Sequence, residues 1–267
     1  MTKEFIRITN PLVIDELNKM EEDYNRYMYI YNLEDNSDGI VFGLILHYHN
    51  SDDAYKIIDK YKSTVQYIDC SYNDLVMLPY AHFLTTLWCN NNKLIKLPNY
   101  PLLTTLYCAF NELTELPNYP LLTYLDCASN NLINIQNYNL ITYLSCEFND
   151  ITSIPYFPLL KELWCGRNKI TELANYPLLE QLYCDGNNLI VLPYYPSLTF
   201  LSCCHNILTN IPYYPLLTIL RCDFNQITVL PDYPVLEDLT CNNNRITKLP
   251  NCPLLKIIEC DLNPLLK

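Results

Sequence analysis

From Val65 onward the apolar and polar positions of the chain return with a fixed period of 19, the step from Cys70 to Cys89 and from Cys89 to Cys108. In "TTLYCAF", Thr104 to Phe110, alternation sets Leu106 and Cys108 on one face and Thr105 and Tyr107 on the other, the period of a short strand. The cysteine recurs at Cys70, Cys89, Cys108, Cys127, Cys146, Cys165, Cys184, Cys203, Cys222, Cys241 and Cys260. Three positions after each stands an asparagine, from Asn73 and Asn92 to Asn244 and Asn263. Leu or Ile stands two before and five after each cysteine, and only Cys204 and Cys252 lie off the ladder. Eleven units follow over 65–267, the last one truncated. One strand per unit, stacked in register, predicts a parallel sheet whose Leu/Cys face turns inward and whose other face is concave.

The rest of each unit is a return path such as "ELPNYPLL". Two prolines in so short a segment forbid a regular helix and favour extended, polyproline-like backbone, so the convex side is expected to be thin. Each asparagine is expected to close the turn after its strand and to bond backbone groups left unpaired there, as a buried ladder. Tyr100, Tyr119, Tyr138, Phe157, Tyr176, Tyr195, Tyr214 and Tyr233 form a second row. They are expected to pack on one another along the convex edge with hydroxyls reaching water. Gln136, Asn139 and Ala174 break the proline pattern and predict looser repeats there.

Residues 1–64 lack the period. Asn10 caps a predicted helix with Pro11 at its first position, a short strand is expected near Ile40 to Tyr48, and a second helix opens at Ser51. A repeat stack must cover its first apolar layer, so this segment reads as an α/β cap with two helices and one strand. At the other end Ile258, Leu262, Leu265 and Leu266 leave an apolar edge, which predicts a homodimer through the C-terminal edge.

Composition narrows the function. Half of the residues are apolar, enough for a large core. The net charge of −12 disfavours attraction to nucleic acid. The most apolar run, Gly39 to Tyr48, falls far short of the roughly 20 residues of a membrane span. No signal peptide is visible, which points to an intracellular, cytoplasmic chain.

The thiols are the first chemical candidates. In-register cysteines point the same way and the compartment reads as reducing, which disfavours disulfides. A single file of like ligands makes no tetrahedron, and no Cys-x-x-Cys pair is present. Core filling is the preferred reading. "CCH", Cys203 to His205, with Asp185 and Asp223 in flanking repeats, and "HYH", His47 and His49, are the remaining metal-ligating groups; both read as ordinary side chains. No phosphate-binding glycine loop or Gly-x-Ser-x-Gly elbow occurs, and no catalytic residue, metal or cofactor is assigned.

The concave face carries more information. Large aromatics on an exposed sheet face are costly unless used, and Trp, Tyr and Arg are the usual anchors of binding. The candidate partner-binding residues are Trp88, Tyr107, Phe110, Asp126, Tyr143, Phe148, Trp164, Arg167, Tyr183, Phe200, Arg221 and Phe224. Their arrangement predicts a non-enzymatic scaffold for a protein partner, with no nucleic-acid or membrane role.

The unit matches Leu-x-x-Leu-x-Leu-x-x-Asn/Cys-x-Leu, so the chain from about Val65 resembles the leucine-rich repeat family. The continuation "TELPNYPL", Thr114 to Leu121, is similar to the short repeats of secreted bacterial effectors of the YopM and IpaH kind. Here the unit is one residue shorter, and Tyr or Phe replaces an aliphatic before the second proline. The richness in Asn, Ile and Tyr is similar to that of repeat proteins of giant viruses of amoebae, which would place the chain in host cytoplasm. The resemblance implies a leucine-rich-repeat solenoid that binds proteins. It also implies an alternative, an adaptor or inhibitor of a host enzyme such as a ubiquitin-pathway component. Effectors that are ligases carry a separate catalytic domain after the repeats; this chain ends at residue 267, so ligase activity is not expected.

Overall fold

The structure, a computed structural model, describes residues 28–34, 40–46 and 51–265. Contacts divide the chain into two compact units, 1–130 and 131–267. In the first, β1 (Met28–Glu34) pairs antiparallel with β2 (Ile40–Leu46), helix α1 spans Ser51–Tyr61, and β2 pairs parallel with β3 (Val65–Asp69). β4 (Thr86–Trp88), β5 (Thr105–Tyr107) and β6 (Tyr124–Asp126) follow in parallel register.

The second unit stacks β7 (Tyr143–Ser145), β8 (Glu162–Trp164), β9 (Gln181–Tyr183), β10 (Phe200–Ser202), β11 (Ile219–Arg221), β12 (Asp238–Thr240) and β13 (Ile257–Glu259). Its strands pair in parallel, each shifted from the last by one whole repeat. After Tyr61 none of the described residues is helical, as the prolines of the return path dictate.

The segment before the repeats departs from expectation. α1 opens at Ser51 as predicted, with Asp52 and Asp53 in its first turn and Lys60 in its last, which suits the helix dipole. The apolar run near Ile40 is a strand, but it has a partner, β1, which the sequence pattern did not show. The helix predicted after Asn10 and the pair His47 and His49 lie outside the described residues, as does Leu266.

The core is built from the period itself. In the repeat of Cys108, the side chains of Leu106, Cys108, Leu113, Tyr119 and Leu122 are fully buried. Every ladder cysteine from Cys70 to Cys241 is buried, and Cys260 is half-buried. Each asparagine then ties two repeats together. Asn111 Nδ2 donates to the carbonyls of Cys108 and Ala109 in its own repeat and to that of Cys89 one repeat back, at 3.1, 3.3 and 2.9 Å. Its Oδ1 accepts the Leu94 N–H at 3.0 Å. At the start of the series Asn73 donates to Leu46 at 2.8 Å, so the end of β2 supplies the carbonyl that a preceding repeat's cysteine supplies elsewhere.

The tyrosine row corrects the sequence reading. Its rings do stack, at 6.4 Å between Tyr100 and Tyr119 and 6.1 Å between Tyr195 and Tyr214. The hydroxyls do not reach water. Tyr100, Tyr119, Tyr176, Tyr214 and Tyr233 donate to the carbonyls of Pro79, Pro98, Pro155, Pro193 and Pro212, each in the preceding repeat. The physical reason is backbone satisfaction. A proline-rich return path forms no ladder of its own, and a buried carbonyl needs a donor. Ala174 accepts the Tyr195 hydroxyl at 3.1 Å in the same way, so the lost proline does not loosen that bond.

Candidate functional site

Each strand from β4 to β12 has three residues, and the middle one points into the core. The outer two, one and three positions before the cysteine, therefore form two columns on the exposed face, with in-register neighbours about 4.8 Å apart. Side chains in these columns meet those of the adjacent repeats, far from them in sequence.

In the first unit the columns hold a run of rings. Tyr67 lies 6.0 Å from Trp88, Trp88 lies 5.0 Å from Tyr107, and Tyr107 lies 4.8 Å from Tyr124. Trp88 remains 37% exposed despite these contacts, an apolar surface left open. Asp126 ends the run, and its Oδ1 accepts the Ala128 N–H at 3.2 Å.

The second unit holds a tighter stack. Trp164 and Tyr183 lie 3.8 Å apart and nearly parallel, and Tyr183 and Phe200 follow at 4.4 Å. Tyr143 stands in register with Glu162 at the β7–β8 pair, and Arg221 is exposed on β11. Burial pushes the Tyr183 phenol up, Arg221 draws it down, and Glu162, Asp185 and Glu147 raise it further. The stack thus lies in a field of three carboxylates and one guanidinium.

Three positions expected to face outward are buried: Asp69, Ser145 and Ser202, at 5–6% exposure. Each is the in-register neighbour of a large ring, Trp88, Trp164 and Tyr183 respectively. The ring shades the small residue beside it. Small residues therefore flank pairs of large rings along the column: Asp69 stands before Trp88 and Tyr107, and Ser145 and Ser202 stand on either side of Trp164 and Tyr183.

Phe110, Phe148, Arg167 and Phe224 occupy a different place. They sit two positions after the cysteine, in the turn that leaves the strand, with φ of 52 to 56°. Every repeat with a described turn has this left-handed residue, yet only one of them, Gly186, is a glycine. An L-residue there costs roughly 1–2 kcal/mol. Phe110, Phe148 and Phe224 are nevertheless about half exposed. The Arg167 guanidinium lies 5.2 Å from the Phe148 ring, and His205 stacks on Phe224 at 4.3 Å.

The sequence places Tyr67, Tyr124 and Glu162 on the concave face, but neither they nor Glu147 and Asp185 are among the candidate partner-binding residues. The structure joins the two tyrosines to the first ring run and the three carboxylates to the second. The "CCH" cluster is split: Cys203 faces the core, the Cys204 thiol approaches Asp223 Oδ2 at 3.6 Å, and His205 turns to Phe224. Burial, with Asp185 and Asp223 beside it, pushes Cys204 up to about 12, which keeps it a thiol at neutral pH. Among the described residues no group of three or more His, Cys, Asp or Glu is placed to hold a metal ion. Among the described residues no helix is long and apolar enough to cross a membrane.

No protein-family profile matches the chain, and no curated protein matches it. Solved structures do. The functional domain of InlJ from Listeria monocytogenes, described as including a cysteine ladder, is 33% identical with a TM-score of 0.71. The match covers 74% of this chain and 49% of that one, so this chain spans about half the length of the InlJ chain. The LRIM1/APL1C complex matches at 24% identity and a TM-score of 0.67, over 90% of this chain and 56% of that one. The leucine-rich repeat domain of APL1B matches at 20% identity and a TM-score of 0.68, over 97% and 82%.

Proposed function

Since this chain is a leucine-rich repeat protein, a parallel-strand solenoid, we propose that it is a non-enzymatic scaffold whose concave strand face grips a protein partner. The observation that carries this is the pair of aromatic runs, Tyr67 to Tyr124 and Trp164 to Phe200, on the strand face of the two units. Rings of this kind supply most of the affinity at protein interfaces. The repeat neighbour LRIM1/APL1C is itself a complex of proteins, which supports the reading. Thirteen free thiols suit a reducing compartment, which supports an intracellular, cytoplasmic location. The segment before Val65 acts as the cap of the first repeat; Leu44, Leu46, Ala54 and Ile58, all fully buried, support this.

The test is a quadruple variant, Trp88→Ala, Tyr107→Ala, Trp164→Ala and Tyr183→Ala. Partners captured by the wild type should be lost, with an unchanged circular dichroism spectrum. Retention of the same partners moves the site off this face. A second contact is assigned to β13, whose Ile257 and Ile258 are exposed: pairing with a second copy. Light scattering that gives a monomer at high concentration rejects it.

A further inference from the structure

We propose that the concave face of the second unit receives an extended basic segment of the partner polypeptide, with two Lys or Arg side chains separated by the length of four strand spacings. This rests on the reading of that face as the binding surface.

Charge is the first support. Strands β7 to β13 carry Glu162, Asp238 and Glu259 against one cation, Arg221. The position after the cysteine adds more. Asp185 is held rigidly beside the ring stack: both its oxygens accept from Ser202 Oγ, at 2.8 and 2.9 Å, and Oδ1 accepts the Cys204 N–H at 2.6 Å. Glu147 reaches across its neighbour, where a Cβ on Gly166 would meet Glu147 Oε1 at 3.0 Å. This carboxylate therefore lies close over the backbone of the turn that follows the Trp164 strand.

Asp238 gives an independent sign. Its Oδ1 is buried and has no hydrogen-bond partner among the described residues. A carboxylate oxygen shielded from water without a donor is left with an unmet hydrogen-bonding capacity. A Lys or Arg side chain arriving at the face meets it.

Geometry sets the length and the order. Glu162 and Asp238 occupy the same column four repeats apart, about 19 Å at about 4.8 Å per strand. About six extended residues span that distance. Between the two carboxylates stand Tyr183 and Phe200, which favour apolar groups and cations alike. The segment therefore reads basic, apolar middle, basic.

The test uses three fluorescein-labelled peptides with the same apolar middle. The outer pair, at the separation just derived, is Lys in one, Gln in the second and Glu in the third. Fluorescence polarisation on the full chain should rank them Lys, Gln, Glu, with a Lys-over-Gln preference of about tenfold that shrinks with salt. The double variant Glu162→Gln and Asp238→Asn should bring the Lys peptide to the Gln level and leave the Gln peptide unchanged. Equal binding of all three, or a Lys preference that survives the double variant, overturns the proposal. Lack of any peptide binding also overturns it. If the ring variants still abolish partner capture in that case, the concave-face reading stands without the basic segment.

Discussion

The side-chain amide of Asn168 donates to the carbonyl of Cys146, 2.9 Å away and one repeat earlier, while also meeting Cys165 and Gly166 at 3.1 and 3.2 Å. Its Oδ1 accepts the Ile151 N–H at 3.0 Å. One buried side chain thus serves the carbonyls of Cys146 and Cys165 and the Ile151 amide, and adds to the bond that the Gly166 carbonyl already accepts from the Phe148 N–H at 3.0 Å.

Asn168→Leu keeps the branched shape of the side chain, with more bulk, and removes all of these bonds. We expect a loss of about 2–4 kcal/mol, since buried polar groups left unpaired cost about 1–3 kcal/mol each and some regain water. Thermal melting should fall by on the order of 10 °C. An unchanged melting temperature would show that the ladder is not a source of stability.

Tyr195→Phe removes one hydroxyl that donates to Ala174 and keeps the buried ring. The expected cost is about 1 kcal/mol, against about 3–5 kcal/mol for Tyr195→Ala, which empties the site. Phe157, the one natural phenylalanine of the row, already stacks on Tyr176 at 6.4 Å without a hydroxyl. Urea unfolding of both variants measures the difference.

Alkaline pH should unfold the chain sharply. Burial holds the ladder thiols, Cys89, Cys108, Cys165, Cys184, Cys203 and Cys222 among them, well above their ordinary 9.0. The unfolded chain therefore releases these protons first. The stability they contribute is full below pH 9 and drains above it, by about 1.4 kcal/mol per pH unit for each such thiol. The buried tyrosines, raised above 10.0 by burial, act in the same direction. Circular dichroism against pH should show a cooperative loss above pH 9; a flat signal to pH 11 contradicts the burial of the thiols.

Phe110→Gly should separate stability from binding. Gly adopts φ near 55° without strain, so the change is expected to be neutral or to stabilise by up to about 1 kcal/mol, after the entropy of the freer unfolded chain. If the exposed ring serves a partner, affinity falls while melting does not. A clear loss of stability would mark Phe110 as a packing residue instead.

Much of the site was legible because the period is unbroken. A constant repeat length leaves one way to stack the strands, so the columns of Trp88, Tyr107, Trp164 and Tyr183 follow from counting. The grouping within those columns was less visible. Tyr67 and Tyr124 lie beside Trp88 and Tyr107 only across the sheet, and Glu147 lies over Gly166, one repeat away from it in sequence.

The sequence by itself determined the register, the inward Leu, Cys and Asn positions, and the helix-free return path. These follow from alternation, constant spacing and the missing N–H of proline, which act within one repeat. Tertiary structure alone decided where the tyrosine hydroxyls go, that Ser145 and Ser202 sink beside Trp164 and Tyr183, and that Phe110 stands in a left-handed turn. Those outcomes depend on which backbone groups remain unpaired and on which side chain stands one repeat away in space. Neither is a property of a residue's own segment.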